Sequence, residues 1–510
     1  MWEGFKDWLD DLLGRREYRR YAEREQRRQR LAGQLFLVAV FIAAMYYLIW
    51  CLQNTRWEQW YMAVPFLMAE MVFLLLFMQW ADILWNKRFH RPEGPPLPGV
   101  DFSVDVFIPV CNEPLSMVEA TIRAAVALWH TNKTVYVLDD GNDPELKSFC
   151  ENLDVRYLCR PTHEHRKSGN LNYGLAHSHG DLVLTLDADQ VAQPDLIDCI
   201  IGYFSLPKIA FVQTKQQFIL PDGDPWGNAD AVFYEVMQAG KDYDNAAISC
   251  GSGVLYRRSA LNEIGGFSTW NFVEDLYTSY LLHARGWRSV YHGESYTTGT
   301  APVDVVDHTK QRWQWAVDAL RMFFWDNPLF RKGLSFYQKV QYLHFSYHYF
   351  AFGCFLPIFF ILPVWALFSH KFMLQEPFWH YILARLPYML LYIISNKIST
   401  YRLHNFKIFQ AQAGLFWVYL RAVISALGSR HRLPAYTVTR KVGQGSVIAR
   451  RLQKCWPHLL LVGLSLSAMI YGILTIHNDF WFLVVNLFWA SWTIAVLSRF
   501  IFLSLFPPRI

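Results

Sequence analysis

Charged side chains are what this chain has least of. Asp, Glu, Lys and Arg make up 18% of its 510 residues, against roughly 25% in a soluble domain. Hydrophobic residues reach 53% and aromatic ones 17%, with 21 Trp. That balance excludes a wholly water-soluble chain and sends the apolar excess into lipid. Cysteine is sparse: eight residues, at 51, 111, 150, 159, 199, 250, 354 and 455, form no C-x-x-C pair and have no histidine spacing suited to zinc. A disulfide framework is excluded, and a reduced cytosolic face fits. Acidic residues are absent from 397–454, which holds eleven Lys and Arg. Because this basic stretch lies between apolar runs, it reads as a positive-inside signal, and no nucleic-acid partner is expected. A cleavable leader is not expected either, since residues 15–30 are dense in arginine and no small-residue cleavage site follows the first apolar run. Trp2, Phe5, Trp8, Leu9, Leu12 and Leu13 recur at helical spacing. They suit an amphipathic helix on a membrane or a partner, or an ordinary charged leader.

Apolar runs at 35–52 and 62–84 are each long enough to cross about 30 Å of hydrocarbon. Arg27, Arg28 and Arg30 precede the pair and Lys87 and Arg88 follow it, which places both outer flanks in the cytosol. A proline-rich linker at 92–98 opens a polar block. Within it, β-branched runs at 104–110, 134–138, 155–159, 182–186 and 210–213 read as strands, and 115–128, 169–177 and 194–203 as helices. Such alternation predicts an α/β domain with a mostly parallel, Rossmann-like sheet. Spans resume at 343–368, 381–394, 459–476 and 480–505. The run 406–427, broken by Gln410, Gln412 and Arg421, reads as an interfacial helix on the cytosolic face. The expected order is a basic N-terminal segment (1–34), two spans (35–85), the cytosolic domain (86–335), two spans (336–396), an interfacial segment (397–455) and two spans (456–510). These runs predict a multi-pass plasma-membrane protein with about six spans, its polar block and both termini cytosolic.

Chemistry concentrates in five patches of the soluble block. Asp187-Ala188-Asp189 ends an apolar run and can hold a divalent cation at a sheet edge, although aspartates in turns are also common. The segment 104–114 is a strand running into Cys111-Asn112-Glu113-Pro114, and 135–141 is another ending in Asp139-Asp140-Gly141. Carboxylates there can accept from a nucleobase N–H, or serve only as turn residues. His165-Arg166-Lys167-Ser168-Gly169-Asn170-Leu171-Asn172 supplies cations, a glycine and amides suited to phosphates and sugar hydroxyls. Phe272-Val273-Glu274-Asp275 adds acids at the start of a helix, where the macrodipole alone could explain them.

Taken in order, these patches resemble the family 2 glycosyltransferases of the bacterial cellulose synthase type, which are membrane-embedded, processive and inverting. The resemblance implies a GT-A catalytic domain inserted in a helical transmembrane bundle. Asp187 and Asp189 would then bind Mg²⁺ or Mn²⁺. Glu113, Asp139, Asp140, Lys167 and Asn170 would seat the nucleotide sugar, and Asp275, beside Glu274, would be the general base. The family's Gln-x-x-Arg-Trp reads here Gln311-Arg312-Trp313-Gln314-Trp315, so Gln314 stands at the arginine position. By resemblance Gln311 and Arg312 would serve the donor and Trp315 would form the platform for the acceptor sugar. Cys250 and Gly251 match the acceptor-proximal segment. Tyr436-Thr437-Val438-Thr439-Arg440-Lys441 resembles the gating loop, with Thr439 and Lys441 closing over the nucleotide. A PilZ domain is not expected after the final span.

The implied activity is polymerisation of a UDP-sugar, UDP-glucose first among donors, into cellulose or a related β-glucan that passes through the membrane. A periplasmic or outer-face accessory subunit is a possible partner. Hyaluronan, chitin-like, mannan and alginate-type polymers remain open alternatives, as does a non-processive transferase acting on a lipid.

Overall fold

The computed structural model describes residues 31–86, 101–222, 224–302, 304–375, 378–400, 403–431 and 448–507. The N-terminal helix expected before residue 31, the proline-rich linker and the loop bearing Thr439 and Lys441 lie outside the described residues.

The strand at Val104–Val110 (β1) is buried along all seven residues. A strand covered on both faces sits inside a sheet flanked by helices, and this is why its run is apolar almost throughout. Side chains alternate: Val104, Val106, Ile108 and Val110 join one core, while Phe107 packs into the other with Leu138 and Val183. The remaining strands are β2 (Lys133–Asp139), β3 (Arg156–Cys159), β4 (Leu182–Thr185), β5 (Val191–Ala192), β6 (Ile209–Ile219), β7 (Val254–Arg257) and β8 (Arg288–Thr300). They form one eight-stranded sheet in the order β3-β2-β1-β4-β7-β6-β8-β5. Pairing is parallel from β3 to β4 and between β6 and β8, and antiparallel around β7 and β5. The five expected strands all form. Because β1, β2 and β4 run parallel, their carboxyl ends open at one edge, where α/β sheets bind ligands. Val110 pairs with Asp139 at that edge, and β4 stops just short of Asp187.

Around this domain, five helices among the described residues are long and apolar enough to cross a membrane: Leu31–Gln53, Trp57–Trp85, Phe336–Ser369, Ile448–Thr475 and Phe480–Leu505. The pair Asn405–Gly414 and Phe416–Gly428 is bent by 48° at its junction and makes at most a sixth. The run expected at 381–394 forms the helix Phe378–Ser399. It is not among the five, because Arg385, Asn396 and Lys397 interrupt its apolar character.

Contacts separate the helix ends into two groups. At one end the 54–56 and 373–375 segments pair, with Arg56 N donating to Met373 O at 2.8 Å and Gln375 N to Asn54 O at 2.8 Å. His370 meets Thr475 there at 3.1 Å, and Trp379 packs on Trp481. At the other end the helices meet the soluble domain. Gln341 donates to Asp82 and Asp244 at 2.7 and 2.8 Å, and Arg499 donates to Pro225 O at 2.8 Å. The bent pair lies at this second end. Trp325 Nε1 donates to Ala426 O at 2.7 Å and Arg321 Nε to Ser429 O at 2.9 Å, docking it on the helix Val305–Trp325.

Candidate active site

A cavity of about 1650 Å³ begins at the carboxyl edge of the sheet and continues between the apolar helices. Glu113, Asp140, Lys167, Asn170, Asp187, Asp189, Asp275 and Trp315 line its soluble end; Phe66, Glu70, Phe359, Arg385, Asn486 and Trp489 line the other.

The acidic groups converge on Lys167. Its Nζ lies 2.8 Å from Asp187 Oδ1, 3.0 Å from Glu274 Oε1 and 3.1 Å from Gly251 O. Burial alone would depress this ammonium, but the two carboxylates outweigh it and hold its pKa well above the usual value. Gly251 (φ +75°) closes the group from the other side. A β-carbon there would stand 3.0 Å from Lys167 Nζ, 3.2 Å from Glu274 Oε1 and 3.5 Å from Asp275 Oδ2, so only glycine fits both the backbone and the space. Asp275 opens the helix Asp275–Ala284. Burial, then Glu274, and more weakly Asp187, push its carboxyl up to about 7, opposed by Lys167 and the Leu276 N–H. A carboxylate poised near neutral pH in a cleft is suited to general-base work.

Asp189 is held by Thr300, whose N and Oγ1 donate to Oδ2 at 3.0 and 2.5 Å, and the Asp187 N–H is fixed by Ser252 Oγ at 2.9 Å. Two carboxylates offer the hard oxygen donors that Mg²⁺ and Mn²⁺ prefer, and Lys167 already places a cation against one of them. Among the described residues no group of three or more His, Cys, Asp or Glu could hold a metal alone. Such a pair therefore fits an ion that completes its shell with substrate phosphates and water.

The other expected residues divide into those facing the cavity and those behind it. Asp140 lines it, gripped by Arg160 Nε at 2.6 Å and Nη2 at 2.7 Å. Asp139 is fully buried and consumed by its own turn, accepting from Gly141 N, Asp143 N and Tyr157 OH. Asn170 donates to Leu138 O at 2.6 Å, while its buried Oδ1 has no partner among the described residues. Glu113 turns back to accept from Cys111 N at 2.5 Å. Gln311, Gln314 and Trp315 line the cavity. Arg312 is committed elsewhere: Nη2 donates to both Asp230 oxygens at 2.9 and 3.0 Å, and its guanidinium lies 4.6 Å from the Trp315 ring centre. Cys250 is pinned through its N–H to Gln213 and its sulfur to Gln238, and burial pushes its thiol up. It packs as a small side chain.

Three important residues escaped the sequence reading. Asp318 accepts from the N–H groups of Phe272 (2.8 Å) and Val273 (2.9 Å), and so sets the turn that presents Asp275. Burial first of all pushes its carboxyl up to about 8. A lone acid between Ala316-Val317 and Ala319-Leu320 was the available signal. Asp230 and Arg160 gave none, because their partners lie on other elements.

Residues 105–265 match the family described as Glycosyl transferase family 2, and 262–407 match that described as Cellulose synthase. The chain is thus similar to family 2 glycosyltransferases over the first stretch and to cellulose synthases over the second. Cellulose synthase 1 of Komagataeibacter xylinus is 35% identical over 333 residues, 61% of this chain and 21% of that protein. The UDP-forming cellulose synthase 1 catalytic subunit of the same organism is 31% identical over 486 residues, 89% of this chain and 63% of that protein. The chain thus spans less than two thirds of the length of these relatives. A solved mannosyltransferase from Pyrobaculum calidifontis, in complex with GDP-Man and Mn²⁺, shares the fold: TM-score 0.53, 16% identity, 72% of this chain and 98% of that one.

Proposed function

We propose that this chain is a processive, inverting polysaccharide synthase that draws on a UDP-hexose, UDP-glucose first, and passes a β-glucan across the membrane through its own helices. The observation that carries this reading is the single cavity joining Asp275, Lys167 and the Asp187–Asp189 pair to the space between apolar helices. A soluble transferase needs no cavity that continues between apolar helices.

In the reaction, a hydroxyl of the acceptor sugar stacked on Trp315 attacks C1 of the donor sugar. Asp275 takes the hydroxyl proton while the C1–O bond to the diphosphate breaks and its electrons leave on phosphate oxygen. Lys167 and Asp140, with its Arg160 clamp, position the donor, and the aromatic wall excludes water that would hydrolyse it. Mg²⁺ or Mn²⁺ held by Asp187 and Asp189 would neutralise charge on the diphosphate.

Taking the 54–56 and 373–375 end, where two short links with little charge pair, as the outer face accords with the basic residues at the opposite end. The soluble domain and the basic 397–454 stretch then lie in the cytosol, as do both termini. The helix Phe378–Ser399 crosses with its polar side toward the cavity, and the bent 405–428 pair rests on the cytosolic interface. An outer-face accessory subunit that receives the polymer accords with this arrangement.

The test is to incubate purified protein in lipid nanodiscs with each radiolabelled nucleotide sugar and Mg²⁺ or Mn²⁺, then digest the product with linkage-specific glycosidases. Expected is a glucanase-sensitive polymer from UDP-glucose, with UDP release lowered roughly 10²–10⁴-fold in Asp275→Asn. Product from UDP-GlcNAc or GDP-mannose alone would replace glucan with another polymer, and single-sugar transfer to lipid would end the synthase reading.

A further inference from the structure

Among the described residues, three arginines line the cavity: Arg166, Arg312 and Arg385. Arg385 belongs to the membrane half, hydrogen-bonded to Glu70 and Tyr47. Arg312 is bound to Asp230 and lies over the Trp315 ring. Arg166 stands at the acidic end. It adjoins Lys167, and its guanidinium lies 5.1 Å from the ring centre of Phe272, two residues before Glu274. Phe272 in turn packs on Trp313 with ring centres 5.8 Å apart, and Trp313 precedes Gln314. The guanidinium thereby stands on the cavity wall against Phe272, in the turn that leads into Glu274 and Asp275.

The backbone is built to keep it there. His165 (φ +59°) and Arg166 (φ +54°) are both left-handed. Two successive non-glycine residues in that region persist only where their surroundings hold them, and such strain gathers at functional sites. The holder is Arg160. Its Nη2 donates to Arg166 O at 2.9 Å and its Nη1 to Glu164 O at 2.5 Å, while Nε and Nη2 clamp Asp140. The carboxylate at the nucleotide edge is therefore tied through one guanidinium to the residue that presents another.

We propose that Arg166 is a diphosphate-binding residue, whose guanidinium performs here what an arginine at position 314 would otherwise do. This rests on the UDP-sugar reading above and adds the group that receives the departing charge. As the acceptor oxygen bonds to C1 and its proton passes to Asp275, the C1–O bond electrons go to the phosphate oxygen, and Arg166 N–H groups donate to it. A planar guanidinium suits paired phosphate oxygens, where an ammonium offers only a point charge.

The experiment measures binding of UDP and of uridine to the full chain in nanodiscs by titration calorimetry, alongside UDP-glucose turnover. Arg166→Ala is expected to weaken UDP roughly tenfold or more and leave uridine unchanged, with Arg166→Lys between. Adding Gln314→Arg to Arg166→Ala is expected to recover UDP affinity. Unchanged UDP affinity in Arg166→Ala, or equal loss for UDP and uridine, overturns the proposal, and so does a double variant that recovers nothing. A wild-type chain that binds neither UDP nor uridine refutes the underlying reading instead.

Discussion

At the scale of single residues, Asp275 and Asp318 are two carboxyls that burial makes reluctant to ionise, and they are used differently. Asp275 lines the cavity beside the Lys167, Glu274 and Asp187 cluster, where burial, Glu274 and Asp187 raise its carboxyl and Lys167 opposes them. As a base it must be deprotonated, so turnover is expected to rise with pH through about 7, roughly tenfold from pH 6 to pH 8, and then level. A flat profile over that range would remove Asp275 from the base role. Asp318, buried and accepting from the N–H groups of Phe272 and Val273, acts as a positioning residue through that turn. Asp318→Asn sets an amide N–H against a backbone N–H, a loss of about 1–3 kcal/mol at that turn. Expected is a lower kcat for UDP-glucose with UDP affinity retained; equal losses in both would mean general unfolding of the site.

Among the elements, those with local signals were readable from the chain. β1, β2 and β4 follow from β-branched runs that end in turn residues, and Asp187 and Asp189 were visible because they close such a run. By contrast β8, Arg-Ser-Val-Tyr-His-Gly-Glu-Ser-Tyr-Thr-Thr-Gly-Thr, has no apolar alternation. Its strand conformation comes from long parallel pairing with β6, a tertiary contact. The Arg312–Asp230 and Arg160–Asp140 pairs were hidden for the same reason: charge is evident in a sequence, its partner is not. Close approach between elements was equally silent. In the short helix Gln238–Tyr243, a β-carbon at Gly240 would meet Ile83 O at 2.5 Å, so the soluble domain presses directly on the helix Trp60–Asn86. Gly240→Val is expected to destabilise the protein by about 1–3 kcal/mol through overpacking, read as a lower thermal midpoint in nanodiscs. Gly463→Ala, with nothing within 4 Å of the added carbon, is the neutral comparison.

For the whole molecule, the two groups of helix ends make a topology that labelling can check. Single cysteines at the exposed positions Gln375 and Asn478 should react with a membrane-impermeant maleimide in intact cells. Cysteines at Phe330 and Gly428, exposed at the opposite end, should react only after permeabilisation. Reaction of both sets from outside would break the assignment of faces. Between those faces, Glu70 and Arg385 pair inside the apolar bundle while lining its passage, and Arg385 also rests 5.0 Å from the ring centre of Trp489. Ionisable side chains at such depth are costly and point inward to a polar path. A hydroxyl-rich guest at that level meets donors, acceptors and an indole face in place of hydrocarbon, so it trades one hydration shell for another and is spared the expense of entering oil.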